Sequence, residues 1–213
     1  MASGWSDYAA QGRVKRKDAA PFANRAFPVW MVILFCPSIA AQEYYSHGKQ
    51  NLFPTLHTCP RCHARDSFWL NGFYQRNVIT ESATYRIYVR RLRCKRCGVS
   101  VSMLPSFALS RYQYAAHVVI AALLLRLAHG LSLMGAALAL KLSDSAPSPS
   151  IPLIAHYHHR FSDHEKLVEI MSLALGAEAA SCPLAKAVAV CGSPVAFNLK
   201  YSEIHGTTFL ARI

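Results

Sequence analysis

Two cysteine pairs constrain this chain more than any other feature: Cys59-Pro60-Arg61-Cys62 and Cys94-Lys95-Arg96-Cys97-Gly98. A C-x-x-C spacing wraps one turn of backbone so that both sulfurs point at the same centre. Two such turns supply four thiolates, a closed tetrahedral set that suits structural Zn²⁺ and has no open position for a reacting water. Gly98 fits a tight knuckle whose last residue needs a positive φ. The expected ligands are therefore Cys59, Cys62, Cys94 and Cys97, and the expected cofactor is Zn²⁺. Two competing readings are weaker. Cys59 to His63 matches a c-type haem attachment, but that requires export and leaves Cys94 and Cys97 unexplained. A redox C-x-x-C lacks the βαβ pattern that would surround it.

The stretch between the pairs reads as an inserted β-hairpin. Residues 67–80 are rich in aromatic and β-branched side chains, with Asn71-Gly72 as a kink or turn. Residues 84–93 alternate, placing Tyr85, Ile87, Val89 and Arg91 on one side and Arg86, Tyr88, Arg90 and Leu92 on the other, with Glu81-Ser82-Ala83 as the connection. Two knuckles, one hairpin and one metal make a zinc ribbon.

Charge is concentrated on the same segment. The chain carries 23 Lys and Arg against 11 Asp and Glu, a formal net charge of +12. From Cys59 to Cys97 there are nine Lys or Arg against Asp66 and Glu81 alone. Such a balance favours a polyanionic partner. Arg86, Arg90, Arg91, Arg93, Lys95 and Arg96 are the candidate phosphate contacts, with DNA as the expected partner. The remaining cysteines, Cys36, Cys182 and Cys191, have no framework spacing and read as reduced thiols of a cytoplasmic protein.

The organisation along the chain is α+β: a zinc-ribbon unit followed by a helical one. Residues 1–28 read as a disordered basic tail. Residues 29–105 hold a strand, Val29 to Cys36, then a short helix from Ala41 to His47 and the ribbon. The apolar run from Phe27 to Ala41 imitates a secretory signal, but Pro28 and Pro37 interrupt it, and it is too short to span a bilayer, so no membrane partner is expected. Met31 stands as an alternative start. After a strand from Val99 to Pro105, residues 106–176 carry helices over Tyr112–His129, Ser132–Leu142 (Ser132 as N-cap) and Ile151–Phe161 (Ser150 as N-cap, Pro152 in the first turn), and a further one from Ser162 to Gly176. This order suggests a helix-turn-helix whose third helix offers Tyr157, His158 and Arg160 to base edges, although the Ser/Pro connection before it is long for that motif. In residues 177–213 the pattern fades, and Val188-Ala189-Val190 and Val195-Ala196-Phe197 read as strand fragments.

Several of these pieces together resemble a family. Cys59-Pro60-Arg61-Cys62, Asn71 to Arg76, Arg91 to Gly98, Leu104-Pro105-Ser106-Phe107 and Arg111-Tyr112 are similar to segments of the zinc-ribbon plus helix-turn-helix proteins associated with bacterial insertion sequences. The resemblance covers roughly residues 29–161. It implies a transposase-related, DNA-binding protein of a prokaryotic cytoplasm, working with a separate transposase subunit. The alternative expectation is an adaptor that docks a transposase or transcription partner through the ribbon and the apolar helices. Catalysis in this chain alone is not expected. Only eleven acidic residues are present, with no domain to carry a carboxylate triad for two Mg²⁺, and no G-x-S-x-G, Walker loop or H-E-x-x-H occurs.

Overall fold

A computed structural model describes residues 30–140, 142–177 and 182–211. The expected basic tail, residues 1–28, lies outside the described residues. Among the described residues the architecture is mixed α+β, a four-stranded sheet with seven α-helices.

The hairpin forms where alternation and β-branched content place it. β2 (Phe68–Ile79) and β3 (Thr84–Cys94) pair antiparallel along their whole length. Their turn is closed by Thr80, whose backbone N–H donates to the Ala83 carbonyl at 2.9 Å and whose hydroxyl accepts from the Ser82 and Ala83 amides. Asn71-Gly72 is a β-bulge: the register slips between Leu70 and Phe73, and Gly72 takes a φ of 76°. β4 (Ser100–Pro105) adds antiparallel to β3. β1 (Trp30–Phe35) then lies parallel to β4, with Met31 beside Val101 and Leu34 beside Leu104, giving the order β1-β4-β3-β2. A parallel neighbour requires a crossover. Here the whole segment between Phe35 and Ser100, ribbon included, is that crossover.

Each face of the sheet has its own cover. On one face, α1 (Ala41–His47) and the turn after it lie against β3. The fully buried Tyr44 donates its hydroxyl to the Tyr88 carbonyl at 3.1 Å and packs edge-on against Phe53 and Phe107. On the other face, Val78, Ile87 and Val89 are wholly buried. Residues 106–115 cross that side, tied down by Arg76, which donates to the carbonyls of Leu109 (2.9 Å) and Tyr112. This guanidinium is one of the nine basic groups of the ribbon, and its role is internal.

The helices pack beyond that connector: α2 (Ala116–Leu127), α3 (Leu133–Ala139), α4 (Ile151–Ser162), α5 (Glu165–Ala174), α6 (Pro183–Cys191) and α7 (Pro194–His205). α2 is buried on nearly every side, as its apolar run predicts. It starts later than the sequence suggests. Residues 113–115 are held extended, with Ile79 donating to the Gln113 carbonyl and Ala115 donating to the Ile79 carbonyl, both at 2.8 Å. Ser132 caps α3 as expected, accepting from the Gly135 amide at 3.0 Å. Ser150 occupies the N-cap position of α4 without a side-chain hydrogen bond. Among the described residues, no helix is long and apolar enough to cross a membrane.

One expectation is overturned. The supposed strand fragments at 188–190 and 195–197 are helical, inside α6 and α7. Proline stands in the first turn of each, Ser193 caps α7 by accepting from Ala196 at 3.1 Å, and Gly192 and Gly206 end them in left-handed conformation. These start and stop signals outweigh the local β-propensity of valine. The Ser/Pro connection between α3 and α4 is long, as the sequence reads it. It is a packed loop fastened to the hairpin tip: Ser143 donates its amide to the Glu81 carbonyl at 2.8 Å and its hydroxyl to the Ser82 carbonyl at 2.5 Å.

Candidate metal centre and basic surface

The two knuckles are built on one hydrogen-bond pattern. In the first, Cys59 N–H donates to the Ala64 carbonyl (3.0 Å) and His63 N–H returns to the Cys59 carbonyl (2.9 Å). In the second, Cys94 N–H donates to Val99 (3.0 Å) and Gly98 N–H returns to Cys94 (3.0 Å). The residue after each pair is left-handed, with φ of 56° at His63 and 73° at Gly98. His63 thus fills the backbone role that glycine fills opposite it. The C-x-x-C-H string reflects this turn, with His63 outside the four-sulfur group.

All four sulfurs lie within 4.8 Å of one another, and the pairs Cys59–Cys97 and Cys62–Cys94 are each 3.7 Å apart. A disulfide needs about 2.05 Å, so these are not disulfides. A tetrahedron with metal–sulfur bonds of about 2.3 Å has edges of about 3.8 Å, which the two 3.7 Å separations match. Cys59 and Cys94 are buried, while Cys62 and Cys97 are half-buried. Burial raises the Cys59 thiol and pushes Cys97 up to about 12, whereas the Ala64 amide lowers Cys62 to about 7. A set so divided holds four thiolates together when a cation compensates them. Val99, Val101, Met31, Ile33, Leu56 and Phe68 pack around the cluster and seat it on the sheet.

The basic residues do not form one surface. Arg86 and Arg90 project from the α1 face of β3, where Arg90 stacks over Phe53 at 5.7 Å. Arg91 and Arg93 project from the opposite face, and Arg91 stacks over Tyr74 at 5.6 Å. Lys95 and Arg96 sit exposed within the second knuckle. Among the described residues, no carboxylate lies within 4 Å of any of these six side chains.

The third-helix residues fit base reading poorly. Tyr157 is completely buried, its ring edge-on to Tyr112 at 5.3 Å. It belongs to the core stripe of α4 with Ile154 and Phe161. Arg160 is 14% exposed, paired with Asp163 at 2.6 Å and bonded to the Ala211 carbonyl. His158 is half-buried. The sequence places all three on one helix, but the i, i+3, i+4 stripe aims Tyr157 inward.

The side chain passed over in the sequence is Trp69. It faces Arg93 across the hairpin and is 54% exposed. The available signal was its place opposite an arginine on an alternating strand.

A family model described as a domain of unknown function (DUF6431) matches residues 59–129, from the first metal-site cysteine to just past α2. No curated protein and no solved structure matches the chain.

Proposed function

We propose that this chain is a zinc-dependent DNA-binding protein that works beside a transposase. The observation that carries the reading is the cation-competent four-cysteine centre at the base of a hairpin whose arginines and lysine have no carboxylate partner among the described residues. Zinc is the proposed ion because four thiolates at tetrahedral spacing suit a closed, redox-inert site. Its role is to fix the knuckles. Arg91, Arg93, Lys95 and Arg96 then meet phosphates. The transposase association and the prokaryotic cytoplasm rest on the family resemblance of residues 29–161.

Binding to a DNA duplex at 50 and 200 mM salt, with and without chelator, tests this. Four phosphate contacts predict a loss on the order of a hundredfold over that range. Chelation is expected to abolish retention. An affinity that stays level across the salt range removes the arginines from the interface. The adaptor reading is favoured by one observation: Met134 and Leu138 of α3 are 59% and 72% exposed, one turn apart. Pull-down of a partner protein that survives high salt supports it over DNA binding.

A further inference from the structure

Only part of the face opposite α1 is covered by the connector at 106–115. Towards the metal end it is open among the described residues. Trp69 and Arg93 stand paired across β2 and β3, with Ser100 next to Arg93 on β4. One step further along, Arg91 lies over the ring of Tyr74, with Ser102 beside it. Beyond Tyr74 the surface dips into a recess of about 380 Å³, bounded by Tyr74, Ser102, Ser110 and Tyr112. The sequence of features is therefore an exposed indole, two guanidinium groups without a carboxylate within 4 Å among the described residues, a line of half-buried hydroxyls and a pocket.

Stacked duplex bases offer only their edges, so an exposed ring on a sheet face has no base face to stack on there. Such a face suits unstacked bases, whose flat faces lie on aromatic rings while the backbone follows a cationic track. The guanidinium of Arg91 is held by Tyr74, so less freedom is lost when it meets a phosphate.

We propose that this open sheet face binds a single DNA strand, one base stacking on Trp69, the adjoining phosphates on Arg93 and Arg91, and the next nucleotide entering the recess beside Tyr74. The proposal rests on the DNA-binding reading and names the form of DNA recognised.

The test uses the full zinc-loaded chain and fluorescence anisotropy with a labelled fifteen-nucleotide oligothymidine, against a mixed-sequence duplex of the same length. The single strand is expected to bind at least tenfold tighter. Trp69→Ala is expected to weaken it about tenfold to a hundredfold, as loss of one base stack does, while Trp69→Phe stays within a few-fold of the parent. Arg93→Gln is expected to weaken it severalfold, and Arg86→Gln, on the other face, much less. Zinc content and circular dichroism accompany each variant. If Trp69→Ala loses its metal, Trp69→Phe and Arg93→Gln decide the matter. A duplex bound tighter than the strand, or a strand indifferent to Trp69 and Arg93, overturns this proposal and leaves the DNA-binding reading intact. No binding to either nucleic acid overturns both.

Discussion

The two ends of the sheet are stabilised in different ways. At the knuckle end, the cluster around the cysteines is small: Cys59, Cys94, Val99 and Val101 are its buried members. At the helical end, a continuous core runs from Leu34 and Ile87 through α2 to Phe197, Tyr201 and Phe209. The first buries little apolar surface, so the proposed ion would carry much of its stability. The second buries far more. On the proposed reading, a single sheet joins a metal-dependent part to one held by its apolar core.

Removing the ion tests this contrast with the largest expected effect. Structural zinc contributes roughly 10–16 kcal/mol in comparable small modules. Chelation, or Cys94→Ser, is expected to expose the amides of residues 57–66 and 94–100 to rapid hydrogen exchange, while α2 and α7 stay protected. Simultaneous loss of protection in both regions breaks the contrast. The reciprocal experiment is Phe209→Ala. Phe209 is wholly buried among Phe161, His164, Phe197 and Tyr201, so its truncation should cost about 3–5 kcal/mol in denaturant melts. Zinc affinity, measured by competition with a chromophoric chelator, should not change.

Smaller effects sharpen the picture within each end. Gly98→Ala places a Cβ at a φ of 73° and should destabilise the knuckle by about 1–2 kcal/mol. His63→Gly, at the matching position, should relieve strain and stabilise by less than about 1 kcal/mol. Responses of opposite sign in zinc affinity confirm that the knuckles share one geometry; a loss of metal in His63→Gly contradicts it. The smallest signal is expected from pH at the helical end. His164 is fully buried, between the Tyr201 hydroxyl at 2.5 Å and the Ala211 carbonyl at 2.7 Å. Burial, the largest cause, holds its pKa below the usual 6.5. The folded state therefore favours neutral histidine. This contribution is complete above pH 6.5 and is lost as pH falls through the depressed folded value. Melting of the metal-loaded protein should show a decline on acidification that His164→Gln flattens.

Much of this was legible because it is local. Alternation located β2 and β3 to within a residue or so, the C-x-x-C spacing located the four sulfurs, and Ser132 announced α3. The misses come from longer-range causes. Nothing local says that β1 pairs with β4, or that Arg76 ends on the carbonyls of Leu109 and Tyr112 rather than in solvent. Tyr157 is a different case. Its apolar stripe was readable, yet its ring chemistry suggested a contact that its burial forbids. For α6 and α7 the signals were present in Pro183, Ser193, Pro194 and Gly206 but were masked by short valine-rich runs.

The parallel pairing of β1 has a consequence for how the chain is made. Its partner β4 begins at Ser100, some seventy residues later, so during synthesis the first strand must wait, unpaired, until the second knuckle has emerged. A fragment cut to residues 59–129 would leave the outer rim of β4 bare, ready to take up a strand from another molecule.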